Sequence, residues 1–272
     1  ISAKTFAWEI AEDNATGSDN TIKFIENNDT SKTYESPKFN IVDVVYVPDD
    51  AFEQYLIDLE LDDKLDDYIK SSQALKLITF KRSDVSVPIK DLTGLEGFIN
   101  LEELSFDANA KLQLKELDIS TLVKLKKITI NGYVPNTFND NYSYPLSSIV
   151  LPKTETLTYL SFQKHDIKTL NFKDVPNLTY INLNGGSFEN IDLTNSSKVQ
   201  QLVVRNNSFD TIDISVIQNI AQFYITGNPL GCIKVSQNQL DSAKTNWDKP
   251  PNAIYALDCS RTYVPDDYFE EI

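Results

Sequence analysis

Apolar residues return every 21 positions through the middle of this chain, and such a period limits the fold to a stack of like units. Successive units start at Leu157, Leu178, Val199 and Ile220. Positions 1, 4, 6, 11, 14 and 16 of the first read Leu157, Leu160, Phe162, Ile167, Leu170 and Phe172. The second gives Leu178, Ile181, Leu183, Phe188, Ile191 and Leu193. The third gives Val199, Leu202, Val204, Phe209, Ile212 and Ile214, and the fourth Ile220, Phe223, Ile225, Leu230, Ile233 and Val235. All 24 sampled positions are apolar in a chain that is 41% hydrophobic. Earlier units fit with insertions. Leu101, Leu104, Phe106, Leu114, Leu117 and Ile119 make a 24-residue unit. Leu125, Ile128, Ile130, Leu146, Ile149 and Leu151 make a 32-residue unit whose extra segment, near Tyr133 to Pro145, is polar and aromatic. A degenerate first unit runs from Leu75 through Ile78 and Phe80 to Leu92.

Positions 4 and 6 alternate with polar residues, as do positions 14 and 16. That is the two-residue period of a strand with one buried face. Each unit is therefore two short extended segments joined by turns. One unit cannot bury its apolar edge alone, so stacking must supply the core, and the expected fold is a β-rich solenoid.

Composition removes several functions. No apolar run approaches the ~18 residues that mark a membrane span. The net charge of −15 argues against a nucleic-acid partner, because phosphate binding needs a basic face. The charge is also unevenly placed: residues 73–235 are neutral, while residues 46–72 carry −7 and the two ends −4 each. A neutral central module with acidic flanks is the simplest reading. The chain starts at Ile1 and contains no Met, which fits a processed or trimmed chain. Its first residues carry no signal-peptide pattern, and that does not place it in the cytoplasm.

The unit L-x-x-L-x-L-x-x-N, running over roughly 75–235, resembles the leucine-rich repeat. The short form with a second L-x-L resembles the bacterial variety of Bacteroidetes surface proteins. The resemblance implies the α/β class by family, with few helices. Asn109, Asn207 and Asn228 fill the asparagine position, whose side chain bonds neighbouring backbone in a ladder. Tyr133, His165 and Gly186 depart from it, so the ladder should break there.

The ends should be capped. The order V-P-D-x-x-F-E-x-x-L from Val47, with the later Asp91-Leu92-Thr93-Gly94-Leu95-Glu96, resembles the family's N-terminal cap, here residues 46–100 including the degenerate repeat. Phe52, Tyr55, Leu56 and Leu59 have the spacing of an amphipathic helix with Asp49 and Asp50 at its acidic start. Leu65, Tyr68 and Ile69 should continue it or form another helix. Repeats occupy 101–235. The arrangement C-I-x-V … N-W … D-C over 236–260 resembles the C-terminal cap, and Cys232 and Cys259 at its boundaries are best read as a disulfide, two free buried thiols being the alternative. Closing that loop stabilises by roughly 3–4 kcal/mol in the chain-entropy model and implies an oxidising compartment. Val264 to Glu271 repeats the motif of Val47 to Gln54, so 261–272 read as the start of a further cap in a tandem array, or as a short closing helix. Residues 1–45 read as an extension or the end of a preceding domain, with strand-like runs at Thr21 to Ile25 and Ile41 to Val47.

Catalytic chemistry is poorly supplied. His165 is the one imidazole and sits at a ladder position, where it fills a turn. No G-x-S-x-G elbow, Walker loop or H-E-x-x-H is present. Forty acids make a glycosidase pair available, but none is marked out by context. Asp58, Glu60, Asp62, Asp63, Asp66 and Asp67 crowd one stretch, but Leu61 and Leu65 interrupt and no EF-hand glycine occurs. They read as a solvated acidic face. The expected protein is therefore not an enzyme and takes no cofactor; no metal ligands are assigned, and whether calcium binds the acidic cap stays open.

The informative surface is the strand face opposite the core, at positions 3, 5 and 7. These are Glu103, Ser105 and Asp107; Lys127, Thr129 and Asn131; Tyr159, Ser161 and Gln163; Tyr180, Asn182 and Asn184; Gln201, Val203 and Arg205; Gln222, Tyr224 and Thr226. Same-numbered positions of stacked units lie ~4.8 Å apart, so Tyr159 and Tyr180 should be neighbours with Gln201 and Gln222 in line. We read Tyr159, Ser161, Gln163, Tyr180, Asn182, Asn184, Gln201, Arg205, Gln222 and Tyr224 as the ligand-binding set, suited to large contact area and adaptable hydrogen bonding. Tyr142 and Tyr144 in the insertion offer a second contact element. The resemblance implies a secreted or cell-surface module for adhesion or recognition of a protein partner. A glycan ligand and a structural spacer role are the alternatives, and the oligomeric state stays open. Asp210-Thr211-Ile212 and Asp241-Ser242-Ala243 resemble O-glycan sites of Bacteroidetes.

Overall fold

The computed structural model describes residues 17–20, 23–26, 29–35, 39–41, 43–82, 87–106, 114–132, 146–242 and 247–260. Asp107, Asn109, the insertion at 133–145 and the repeated motif at 264–271 lie outside the described residues. β1 (Gly17–Asn20), β2 (Lys23–Glu26), β3 (Asp29–Glu35) and β4 (Phe39–Ile41) form two antiparallel pairs, β1 with β4 and β2 with β3.

β5 (Val44–Tyr46) leads into α1 (Asp50–Asp58). Asp49 caps this helix: its Oδ1 accepts from the amides of Ala51 and Phe52 at 3.0 and 2.9 Å. Its Oδ2 accepts from the amides of Lys90 and Asp91 at 2.9 and 3.0 Å. One carboxylate thus starts the helix and holds the chain that approaches the repeats. α1 buries Phe52 and Leu56, and the Phe52 ring centre lies 5.4 Å from that of Phe80 and 5.7 Å from that of Phe98. The helix therefore closes the apolar edge of the solenoid.

Leu65, Tyr68 and Ile69 do not continue that helix. Tyr68 and Ile69 begin β6 (Tyr68–Lys70), which pairs antiparallel with β5. Glu60 and Asp67 take left-handed φ angles of 58° and 67°, which a right-handed helix cannot pass through. Ile69 is buried between exposed Tyr68 and Lys70, the period of a strand. α2 (Ser71–Ala74) is one turn.

The repeats then give β7 (Thr79–Arg82), β8 (Glu103–Phe106), β9 (Glu116–Asp118), β10 (Lys127–Asn131), β11 (Ser148–Val150), β12 (Tyr159–Gln163), β13 (Tyr180–Asn182), β14 (Gln201–Val203), β15 (Thr211–Asp213), β16 (Gln222–Tyr224) and β17 (Cys232–Lys234). After α3 (Gln237–Asp241) come β18 (Trp247–Asp248) and β19 (Ile254–Ala256). β7, β8, β10, β12, β13, β14, β16 and β18 pair in that order into one eight-stranded parallel sheet. β9 pairs with β11, and β15, β17 and β19 form a three-stranded ladder. Between these layers Leu160, Ile181, Leu202 and Phe223 stack with no exposed surface, because each sits at the same phase of the repeat.

The turns repeat as well. At position 8 of each unit the backbone is left-handed: Lys164 at 56°, Gly185 at 72°, Asn206 at 55° and Gly227 at 78°. Glycine and asparagine suit that conformation, and Lys164 does not. At position 15, Asn171, Asp192 and Asp213 accept from the amide two residues on, at 2.8, 3.0 and 2.9 Å.

The last turn is closed from three sides. Ser236 and Gln239 form a capping box on α3, and buried Gln239 donates to the carbonyls of Ile214 and Ile217 at 3.0 and 2.8 Å. Cys232 and Cys259 are joined in a disulfide, 27 residues apart. β18 and β19 lie inside that covalent loop and supply the last strand of both sheets. No helix among the described residues is long and apolar enough to cross a membrane.

Candidate binding face

In-register pairing puts three columns of side chains on the outer face of the main sheet. The first runs Glu103, Lys127, Tyr159, Tyr180, Gln201 and Gln222. Glu103 and Lys127 form an ion pair at 2.9 Å, and the Lys127 ammonium lies 5.4 Å from the centre of the Tyr159 ring. The rings of Tyr159 and Tyr180 stack with centroids 4.2 Å apart and planes 2° from parallel. The strand spacing of ~4.8 Å is close to a stacking distance, so register alone brings the rings face to face. Burial, and then the neighbouring Tyr159, push the Tyr180 phenol above its ordinary pKa.

The second column runs Ser105, Thr129, Ser161, Asn182, Val203, Tyr224 and Asp248. Its centre is a floor rather than a display. Ser161 is 1% exposed and Asn182 8%, so two members of the sequence-based set have almost no surface to offer. Their columns are flanked by larger side chains on both sides, which the sequence pattern does not measure. Asn182 is spent internally: its Nδ2 donates to the Tyr180 hydroxyl at 3.4 Å and its Oδ1 accepts from the amide of Asn184 at 3.2 Å. Tyr159, Gln163, Tyr180, Asn184, Gln201, Arg205, Gln222 and Tyr224 are half-buried, neither covered nor fully open.

The third column carries Asn131, Gln163, Asn184 and Arg205. The Arg205 guanidinium lies 4.6 Å from the Tyr224 ring centre and pairs with Asp248. Asp248 also accepts from the amide of Ile225 at 2.8 Å. Thr129 Oγ1 and Asn131 Oδ1 are buried without a hydrogen-bond partner among the described residues. Lys127 was legible as an outward residue, but its place over Tyr159 was not drawn from the pattern. Asp248 was invisible there, because the closing segment is off the 21-residue phase.

The ladder breaks where expected among the described positions. Asn228 Oδ1 accepts from the amides of Asn207 and Phe209, each at 3.2 Å, and Asn207 Oδ1 accepts from the amide of Phe188 at 3.2 Å. Their Nδ2 groups donate to carbonyls of their own and the preceding unit. His165 instead accepts from the Ile167 amide through its own Nδ1 at 3.1 Å. The ring is 3% exposed, its Nε2 has no partner among the described residues, and burial lowers its pKa to about 4. Such a ring is neutral near pH 7 and packs edge-on against Phe162 and Phe188. In the acidic stretch Asp58, Glu60, Asp63, Asp66 and Asp67 are exposed, while Asp62 is half-buried.

The fold is a leucine-rich-repeat β-solenoid. Its similarity is to solved internalin structures of Listeria monocytogenes. The functional domain of InlJ matches with a TM-score of 0.51 and 19% identity, covering 72% of this chain and 40% of that one. Internalin C2 matches with a TM-score of 0.42 and 15% identity, over 78% of this chain and 97% of its own. At 19% identity the InlJ likeness is one of fold, and the present chain spans 40% of the InlJ domain's length. No family model and no curated protein matches the chain.

Proposed function

We propose that this chain is a non-enzymatic, extracellular binding module that recognises a protein partner through the outer, concave face of its main sheet. The observation that carries the reading is the Tyr159–Tyr180 stack at 4.2 Å, at the middle of a regular sheet and between Lys127 and Gln201. Rigid aromatic anchors with amides and an arginine beside them make protein contacts of large area at low entropy cost. The disulfide fits an oxidising compartment, and cell-surface or secreted placement in a bacterium follows from the resemblance.

A protein fits better than a sugar. A sugar ring needs a free aromatic face, and each of the three tyrosine rings gives at least one of its faces to a neighbour. Tyr159 has Lys127 on one side and Tyr180 on the other, and Tyr224 has Arg205.

The test compares capture of surface or secreted proteins by the wild-type chain, Tyr159→Ala, Tyr180→Ala and the double variant, each with unchanged circular dichroism. A partner lost by about tenfold or more in the double variant supports the reading. A partner held equally by all four, or micromolar binding on a glycan array, overturns it.

A further inference from the structure

The loop after α1 folds back onto the helix around one carboxylate. Glu53 has no exposed surface, although it lies on a helix whose acidic surroundings reach solvent. Its Oε1 accepts from the amides of Asp66 and Tyr68 at 3.0 and 3.2 Å, so the loop hangs on this side chain. Its Oε2 is buried with no hydrogen-bond partner among the described residues, and the same is true of Oδ2 of Asp62. Two buried oxygens with no donor are costly, and a buried charge without a counter-charge more so.

The missing component is a cation. Carboxylate oxygens of Glu53, Asp62 and Asp66 lie within 4.8 Å of one another. A second set, Asp50, Glu53 and Asp67, meets the same limit and shares Glu53. Oxygens bound to one Ca²⁺ at ~2.3–2.6 Å lie at most about 5 Å apart, so the three carboxylates are close enough to share one ion, and a flexible carboxylate-rich shell suits Ca²⁺ better than Mg²⁺, which demands near-ideal octahedral geometry and keeps its waters. The donors are all hard oxygens, which excludes the thiolate and imidazole chemistry of zinc or copper. Lys64 pairs with Asp66 at 2.5 Å, and its side chain is 66% exposed, so the ion has to displace only a surface lysine. A cleft of about 340 Å³ opens beside the cluster; Asp62, Asp63 and Asp66 line it together with Lys64 and Lys70, and its volume has room for the waters that complete the shell.

We infer that α1 and the loop after it bind one Ca²⁺ through Glu53, Asp62 and Asp66. The ion clips the loop to the helix that closes the solenoid's first edge, so it strengthens the end of the stack without touching the strand face.

The test titrates the chelator-stripped full chain with CaCl₂ by calorimetry and follows thermal unfolding. We expect one ion per chain, with a Kd in the ~10⁻⁴–10⁻³ M range of extracellular modules. The melting temperature should rise with Ca²⁺ and by much less with equal Mg²⁺. Terbium emission excited through Tyr68 should rise and be displaced by Ca²⁺. Glu53→Gln should abolish the response. Because that variant also loosens the loop, Asp62→Asn and Asp66→Asn provide the independent check: each should weaken Ca²⁺ binding by about tenfold or more while the ion-free melting temperature barely changes. Absence of heat and of a melting shift at millimolar Ca²⁺ overturns the inference. So does an equal response to Mg²⁺, or a full Ca²⁺ response in Asp62→Asn.

Discussion

Gly186 lies against the ring of His165: a Cβ added to it would stand 2.5 Å from Cε1 and 2.9 Å from Nε2. The two departures from the asparagine pattern are therefore one arrangement. Without a side chain at 186, no amide reaches back to the Ile167 N–H as Asn207 reaches Phe188 and Asn228 reaches Phe209. His165 takes that N–H itself, and its ring occupies the room the glycine leaves. Gly186→Ala should destabilise by about 1–3 kcal/mol, the usual cost of overpacking. In an His165→Ala background the cost should shrink by more than ~0.5 kcal/mol, measured as a double-mutant cycle in urea. Additive effects would refute the coupling.

The same histidine makes stability depend on pH. Burial holds its folded pKa at about 4, below the ordinary 6.5. The unfolded chain therefore takes up this proton first. The stabilisation is complete above pH 6.5, falls as pH drops from 6.5 to 4, and is fully lost below about 4. A shift of that size corresponds to about 3 kcal/mol. His165→Asn should remove this component. The difference between the two pH–stability curves isolates it from carboxylate titration, and parallel curves over that window would contradict the assignment.

Lys164 carries the one side chain in its series that is ill-suited to a left-handed turn. Lys164→Asn or Lys164→Gly, copying the later units, should raise stability by about 1 kcal/mol, since the left-handed conformation costs ~1–2 kcal/mol for ordinary residues. Chemical denaturation checks the sign. A loss would mean that the lysine stem, 3.1 Å from the position of a Gly185 Cβ, packs more than its backbone strains.

Arg205 and Asp248 tie the closing segment to the binding face. Asp248→Ala breaks the ion pair and orphans the Ile225 amide. Both partners are partly exposed, so the ion pair adds under ~1 kcal/mol and the amide most of an expected ~1–2 kcal/mol loss. Asp248→Asn should recover more than half of that loss. Equal losses in the two variants would place the cost in the charge.

How much of this was legible follows from what each feature depends on. The strands were, because a buried face leaves a period of two within a period of 21. The Tyr159–Tyr180 contact follows from register, which the repeat sets. The burial of Ser161 depends on the size of its neighbours, which no periodicity records. β6 was misread because Leu65, Tyr68 and Ile69 share a helical spacing, while the left-handed Glu60 and Asp67 that break it carry no sequence signature as strong as glycine. Glu53 looked like any acidic residue on an amphipathic helix, since only the returning loop buries it. Gly185, Asn206 and Gly227 did advertise the left-handed turn at a spacing of 21, and Lys164 masked the series.

Reducing the disulfide should cost about 2–4 kcal/mol and lower the melting temperature. Dithiothreitol should reproduce the Cys232→Ser, Cys259→Ser double variant. An unchanged melting temperature would mean that the closing segment holds without the bond.

A stack of units that touch only their neighbours comes apart from its ends, like a column of coins. Here the far end is welded: the covalent ring from Cys232 to Cys259 encloses the final strand of each sheet, so those strands cannot drift away singly. Heat or pulling force should then find its first loosened unit at the opposite end, where the helix α1 packs on Phe80 without a covalent tie. Collapse of this solenoid thereby acquires a direction, from its amino-terminal side towards the ring.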